Sequence, residues 1–518
     1  MPKNLWRAES SDKDGACFCL HSFGVHLTCR ANNTPLNDLL SKTKLIGLVL
    51  GPVFFFLILF SVTPGILSEK SIIVLALGAW VITWWVTEAM PIPVSALLPM
   101  VVLPLMGVST VREASAPYGD PVIFLFMGGF ILGLGLEKHN LHQRIALSLI
   151  RLTGTSGNGI ILGFMISTAL ISMWISNTAT AIMMLPIAAS VTSLLAKEMG
   201  QENDPRFKKF ATGLMLSIAY AASIGGMATI IGTPPNMVMV GFMKRFYDLD
   251  VSFTRWMVVG IPLMVLSLTA CYLIITKVLY RNHLPSIEGS RDLIHRKLHD
   301  LGNLAKEEKM VLMVFSVTCF FWIFRQNLNG LFGKNILDDT TIAMAGGILM
   351  FLLPVNLKNQ KFLLEWSDMK ELPWGILLLF GGGLCLADGM EKSGLVQIVG
   401  NYFSHQENIN VSLLIFSLTA IAMGMTELMS NVALVTIFVP VVFGIADGFH
   451  INPIWLAMPV TFAASCAFMM PISTPPNAVL FASGYIKMKD MIRTGLLLNL
   501  CCLVIITILA ITVMQWIF

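Results

Sequence analysis

Phe126-Met-Gly-Gly-Phe-Ile-Leu-Gly-Leu-Gly-Leu-Glu-Lys138 has a partner 254 positions later, Phe380-Gly-Gly-Gly-Leu-Cys-Leu-Ala-Asp-Gly-Met-Glu-Lys392. Both are glycine-rich apolar segments that close on Glu-Lys, with Glu137 and Glu391 in the same register. Forty residues on, Ser176-Asn177-Thr178 meets Ser430-Asn431-Val432, again 254 apart. Then Gly232-Thr-Pro-Pro-Asn236 meets Ser473-Thr-Pro-Pro-Asn477, now 241 apart after a net deletion. Three landmarks in one order make the core a duplication.

The duplicated segments lie in a chain that lipid must solvate. Of 518 residues, 55% are hydrophobic and 12% charged, with a mean hydropathy of +0.76. A soluble globular chain carries about 25% charged residues. Apolar stretches near 44–66, 71–88, 92–110, 120–138, 208–243, 255–280, 310–327, 340–357, 373–390, 452–486 and 494–518 read as spanning helices, since about 20 residues cross a bilayer. Two more stretches, 158–195 and 411–446, are nearly twice that length and carry a polar break in the middle. The runs are too long for β-barrel strands of about 10 alternating residues, so the expected fold is an all-α polytopic membrane protein with about 11 transmembrane helices.

Charge placement orients the halves. With 158–195 and 411–446 as re-entrant hairpins, the N-terminus falls inside and the C-terminus outside. Of the 34 Lys and Arg, 8 then lie outside (Lys70, Arg112, Lys244, Arg245, Arg255, Arg325, Lys334, Lys392) and the remaining 26 inside, as the positive-inside rule requires. Basic residues flank the first hairpin at both ends, whereas no Lys or Arg lies between Lys392 and Lys487. Five spans separate equivalent landmarks, an odd number, so the two repeats are inverted, an arrangement common in secondary transporters. The expected organisation is a polar extension over 1–43 and a first transmembrane helix over 44–70. Repeat 1 over 71–280 and a cytoplasmic linker over 281–309 follow, then repeat 2 over 310–518.

Non-helical backbone at membrane depth is tolerated only where it lines a cavity or is buried in protein. Four polar breaks interrupt apolar segments here: Ser176-Asn177-Thr178, Thr233-Pro-Pro-Asn236, Ser430-Asn431-Val432 and Thr474-Pro-Pro-Asn477. Proline removes a backbone donor. Each break therefore exposes carbonyls suited to a cation and N–H groups at a half-helix start suited to an anion. A kink stabilised by interhelical hydrogen bonds accounts for one such break, but not for four paired by a duplication. Neither hairpin carries a Lys or Arg within its arms. An anion bound there needs neutralisation from hydroxyls, amides, helix ends and co-transported cations, because burying unpaired charge is very costly.

The remaining candidates divide by context. Glu427, three residues before Ser430, reads either as a carboxylate placing negative field near a cation or as one hydrogen-bonded to a nearby helix end. Asp388 and Glu88 suit interfaces. His295 and His299 have i, i+4 spacing without an apparent third metal ligand, and the nine cysteines show no zinc or redox pattern. Residues 1–40 lack a secretory signal core. No G-x-x-x-x-G-K-[ST] loop supplies an ATP motor and no H-E-x-x-H set supports an intramembrane enzyme. A structural or receptor-like role leaves the duplicated breaks unexplained. The partners expected are a small dianion, sodium and the lipid bilayer, with no nucleic acid.

Ile175-Ser-Asn-Thr-Ala-Thr180 and Thr426-Glu-Leu-Met-Ser-Asn431 resemble the paired Ser-Asn-Thr motifs of the divalent anion/sodium symporters. The segment from Ala464 to Leu480, ASCAFMMPISTPPNAVL, resembles that family's signature, with Leu480 where valine is usual. The likeness covers roughly 70–518. It implies a homodimer in the cell (inner or plasma) membrane, each protomer moving a transport domain against a scaffold in an elevator mechanism. Carried over by motif position, one Na+ would meet Ser172, Ser176, Asn177 and the Gly232 carbonyl. A second would meet Thr426, Asn431 and the carbonyls of Met429 and Ser473. Substrate would meet Ser176, Asn177, Thr178, Ser430 and Asn431, with Thr233 and Thr474 completing the cradle. The resemblance implies sodium-coupled symport of C4-dicarboxylates such as succinate, fumarate or malate, with no organic cofactor. Val432 departs from the motif, and sulfate or citrate transport, or sodium-independent dicarboxylate exchange, stays open as the alternative.

Overall fold

The computed structural model describes residues 35–518 apart from 63–66, 155, 200–203, 283, 285–287, 334–335 and 405–409. Most of the expected N-terminal extension, with Cys17, Cys19 and Cys29, lies outside the described residues. The first half of the chain comprises α1 (Pro35–Ser61), α2 (Glu69–Thr87), α3 (Ile92–Ser95), α4 (Leu98–Leu105), α5 (Val111–Ser115) and α6 (Pro121–Lys138). It continues with α7 (Leu141–Leu152), α8 (Gly157–Ser172), α9 (Asn177–Met199), α10 (Pro205–Gly226), α11 (Pro234–Tyr247) and α12 (Phe253–Leu273), the last prolonged by a π-helical turn over Ile274–Leu279. After α13 (Glu288–Asp300) come α14 (Lys306–Phe332), α15 (Asp339–Leu352), a small antiparallel pair of β1 (Pro354–Asn356) and β2 (Lys361–Phe362), α16 (Trp374–Lys392) and α17 (Leu395–Ser404). The chain closes with α18 (Val411–Met425), α19 (Asn431–Gly448), α20 (Pro453–Ala464), α21 (Pro475–Phe481), α22 (Met488–Leu509) and the short α23 (Gln515–Ile517).

Among the described residues, nine helices are long and apolar enough to cross a membrane. Seven coincide with stretches read as spans from the sequence. The other two, Asn177–Ala196 and Asn431–Gly448, are the second arms of the two polar-broken segments. The stretch over 92–110 forms no single helix: it breaks at Ala96–Leu97 into α3 and α4, with Pro99 in the first turn of α4, where a missing donor costs nothing. Proline also starts helices. Asp120-Pro121, Asp204-Pro205 and Asn452-Pro453 each put a capping oxygen before a proline in the first helical position, and each cap accepts a backbone N–H two residues on.

The duplication is visible in the packing. Phe126 and Phe380, the first residues of the two matching motifs, meet with ring centroids 4.4 Å apart. A residue that touches its own equivalent lies on the axis relating the two copies. Pro186 inside α9 and Pro440 inside α19 repeat the same 254-residue spacing. Close crossings depend on small residues: a Cβ on Gly128 of α6 would stand 2.5 Å from the Ala343 backbone of α15. The largest apolar core runs through α6–α12 and α14–α22, and a second joins α2, α4 and α16 to Ala433 on α19.

A candidate ion and anion site at two broken helices

Each long polar-broken segment folds as helix, tight tip, helix: α8 and α9 around 173–176, and α18 and α19 around 426–430. Facing each tip is a helix that stops and restarts. α10 ends at Gly226 and α11 restarts at Pro234; α20 ends at Ala464 and α21 restarts at Pro475. Thr233 and Thr474 precede the restarts in extended conformation, neither capping the helix with its side chain. Prolines at the first two helical positions need no N–H partner there, so the Thr-Pro-Pro motif restarts a helix without leaving a donor orphaned.

The asparagine that ends each motif holds the unwound loop in shape. Asn236 Nδ2 donates to the carbonyls of Gly226 (3.1 Å) and Thr229 (2.8 Å). Asn477 Nδ2 donates to those of Ala467 (2.9 Å) and Met470 (3.1 Å). All three positions in one set lie 241 residues from their partners in the other. Sequence reasoning quoted both asparagines yet assigned roles only to the threonines. The repeated Asn was the available signal.

The tips dock in the same symmetric way. Ser172 Oγ lies 2.7 Å from Asn177 Oδ1 and 2.7 Å from the Ala222 carbonyl. Thr426 Oγ1 lies 2.8 Å from Asn431 Oδ1 and 2.5 Å from the Ala464 carbonyl. A hydroxyl has one proton, and a backbone carbonyl can only accept. Each hydroxyl can donate to only one of its two oxygen neighbours at a time, so the Asn amide oxygen and the helix carbonyl share one proton. The oxygen left without the proton keeps lone pairs open to a cation. On the first tip, Asn177 sits against the gap between helix end and restart: a Cβ on Gly226 would lie 2.5 Å from Asn177 Oδ1 and 3.1 Å from the Gly232 carbonyl. The structure therefore brings Ser172, Asn177 and Gly232 together, and separately Thr426 and Asn431. Ser473 lies on the second unwound loop, its hydroxyl donating to the Met470 carbonyl. Met429 packs against both apolar cores.

Ser176 is exposed, whereas Asn177, Thr178, Ser430, Asn431 and Val432 are half-buried and Thr233 and Thr474 are buried. Several buried oxygens here have no hydrogen-bond partner among the described residues: Thr474 Oγ1, Asn236 Oδ1 and Asn477 Oδ1, and the hydroxyls of Ser223 and Ser465. Ser223 and Ser465 follow the two carbonyls, Ala222 and Ala464, that receive the tips, in a repeated Ala-Ala-Ser. Buried polar groups are normally satisfied. Hard oxygens left open beside two unwound loops suit a hard cation such as Na+.

Glu427 resolves toward the hydrogen-bonded reading. Its carboxylate is buried and accepts the N–H groups of Phe468, Met469 and Met470 and the amide of Asn499, at 2.8–3.2 Å. The equivalent junction in the first repeat has the opposite polarity: Thr229 Oγ1 donates to the Met173 carbonyl at 2.5 Å. Asp388 pairs with Arg245 (2.6 Å) and exposed Glu88 with Lys44 (3.6 Å). Arg144 and Arg325 are likewise committed elsewhere, to Glu308 and to Asp250 with Asp339. Among the described residues, no group of His, Cys, Asp and Glu is arranged to hold a metal ion, the pair His295 and His299 included.

Paired helix breaks of this kind find their match among known proteins. The profile described as the sodium:sulfate symporter transmembrane region matches residues 42–518. The chain belongs to this family. It is thus an integral membrane transporter, not an enzyme. Relatives named sodium-dependent dicarboxylate transporter SdcS include one from Staphylococcus saprophyticus, 39% identical over 482 residues, and one from Staphylococcus aureus USA300, 39% identical over 477 residues. Each alignment covers 92% of this chain and 92% of the relative. Solved structures share the fold at low identity. The YdaH transporter of Alcanivorax borkumensis has a TM-score of 0.53 at 15% identity, covering 77% of this chain and 87% of its own. MtrF of Neisseria gonorrhoeae scores 0.52 at 11%, covering 79% and 84%. For a member of the sodium:sulfate symporter family, the long apolar helices and sparse charge are accounted for by the membrane.

Proposed function

We propose that this symporter-family member couples Na+ to the uptake of C4-dicarboxylates such as succinate, fumarate or malate. The observation that carries the reading is 39% identity, across 92% of both chains, to relatives named for sodium-dependent dicarboxylate transport. The geometry supports it. Each repeat offers a Ser or Thr hydroxyl, an Asn amide oxygen and unwound carbonyls, a set of hard oxygens for one Na+. Ser172, Ser176, Asn177 and Gly232 form the first set; Thr426, Asn431, Met429 and Ser473 form the second. Substrate carboxylates then meet Ser176, Asn177 and Thr178 from one tip and Ser430 and Asn431 from the other, beside Thr233 and Thr474. The arriving cations neutralise the dianion that neither hairpin's own side chains can.

The same reading takes the two halves as inverted repeats over 71–280 and 310–518, with a cytoplasmic N-terminus and linker, in the plasma membrane as a homodimer. The reading includes an elevator movement, and the two tips differ in their packing. α19 packs against α16 through Thr436 and Gly383, while α9 carries exposed Ile182 and Pro186 beyond its tip. Spin-label distances between α11 and α16, with and without succinate, test the movement: an unchanged distance contradicts it.

Competition decides the substrate. In proteoliposomes with a sodium gradient, unlabelled fumarate and malate should suppress radiolabelled succinate uptake, and sulfate and citrate should not. Val432 withholds a hydroxyl that Thr178 supplies on the other tip. Accordingly, Val432→Thr should change the order of competitors while leaving the sodium requirement intact. Suppression by sulfate alone would move the assignment to an inorganic dianion.

A further inference from the structure

We propose that the end of α12 carries a docking site for the phosphate group of an anionic phospholipid, separate from the ion and anion site. The inference rests on membrane membership alone, so it stands or falls independently of the sodium-coupled reading. A cavity of about 240 Å³ is lined by Asn158, Thr276, Lys277, Arg281 and Asn282. Water takes about 30 Å³ in the liquid, so the space holds a phosphate group with its waters.

The chemistry of the lining selects an anion. Lys277 and Arg281 are both exposed, and among the described residues no carboxylate forms an ion pair with either. Arg281 Nε donates to the Lys277 carbonyl, which ties the guanidinium to the same turn. Asn158 stands in the first turn of the 16-residue α8, where the helix dipole adds positive field. Its amide oxygen accepts Asn282 Nδ2 at 3.1 Å, bolting one wall to the other. The π-helical turn over Ile274–Leu279 shifts the register of α12 just where it presents Lys277; such turns concentrate at functional positions.

The surroundings select a lipid over a free anion. Tyr280 Oη bonds Thr494 and the Asp490 carbonyl, bringing the first two turns of α22 alongside. Those turns add exposed Lys489 and Arg493 against one acid, Asp490. Running away from this basic rim, α12 exposes Leu266 and Leu273, and α22 exposes Leu496, Leu500 and Val504. A charged pocket that continues into two apolar helix faces fits a headgroup with its chains, as basic pockets between membrane helices do.

The test uses the full-length protein, delipidated in uncharged detergent and titrated with phosphatidylglycerol, phosphatidylcholine or inorganic phosphate, with bound lipid read by native mass spectrometry. Each basic residue near the bilayer surface is worth about fivefold in binding. Replacing both, as Lys277→Gln with Arg281→Gln, should weaken the tightest phosphatidylglycerol site about thirtyfold. The charge-keeping pair Lys277→Arg with Arg281→Lys should retain it, which separates lost charge from lost fold. Phosphatidylcholine should not saturate the site. Equal phosphatidylglycerol binding by wild type and the Gln pair would overturn the proposal. So would millimolar inorganic phosphate displacing the lipid, since the pocket would then serve a soluble anion.

Discussion

Asn177 and Asn431 each face a choice set by one proton on a neighbouring hydroxyl. Ser172 and Thr426 each stand within donating distance of that amide oxygen and of a helix carbonyl, so one oxygen at each tip keeps open lone pairs. On the proposed reading, removing the amide leaves the hairpin intact and takes one ligand from the ion. Asn177→Ala and Asn431→Ala should therefore each abolish sodium-dependent uptake while the protein still inserts and elutes as wild type; transport at wild-type rates from either would remove the site assignment. Glu427 acts on the same tip from a different direction. Its carboxylate ties the tip to three backbone N–H groups and to Asn499, and hydrogen bonds to a charged group contribute about 1.5–3 kcal/mol each. Glu427→Gln keeps the shape but loses the charge and turns a donor on the N–H groups. It should lower thermal stability by at least about 2 kcal/mol and weaken the apparent sodium affinity; an unchanged melting midpoint would contradict the role. At this scale the sequence displayed the tip residues, because they repeat in register. It left the meaning of Glu427 open, because its donors lie 41 to 72 positions away.

The broken helices show what local sequence can and cannot dictate. Thr-Pro-Pro-Asn announces a restart, since two prolines suit only the first turn of a helix. Where the preceding helix stops is a tertiary matter. α10 runs to Gly226, and the chain then doubles back until Gly232 meets it: a Cβ on Gly232 would lie 2.5 Å from the Gly226 carbonyl and 3.0 Å from its Cα. Backbone cannot yield as a flexible side chain can. Gly232→Ala should open the loop, cost sodium-dependent uptake and spare expression, whereas Ser473, its counterpart, already carries a side chain. Uptake unaffected by Gly232→Ala would mean that the loop is not the ion's ligand. The clamping role of Asn236 and Asn477 escaped the sequence reading because it connects a helix start to a loop 7 to 10 residues back, a contact with no periodic signature. The stretch over 92–110 is apolar throughout, as its hydropathy indicates, but a turn at Ala96–Leu97 ahead of Pro99 splits it into α3 and α4.

Across the whole molecule, two copies of one supersecondary unit face each other, with Phe126 on Phe380 at the axis. The duplication was legible in three spaced landmarks, as was the membrane setting in the scarcity of charge. The proposed hand of the repeats rests on the basic residues in their loops. The linker Arg144–Glu308 pair, reinforced by the Leu301 and Gly302 carbonyls, had no pattern to betray it. The described basic side chains with ion-pair partners are spent on such scaffolding, not on the tips. On the proposed reading, a dianion held between those tips is neutralised by cations that travel with it. Radiolabelled succinate uptake into proteoliposomes, with external sodium replaced by potassium or choline at equal ionic strength, tests that claim most directly. The account predicts that uptake falls to the level of protein-free liposomes in both replacements and returns with sodium. Undiminished uptake in potassium and in choline would contradict it.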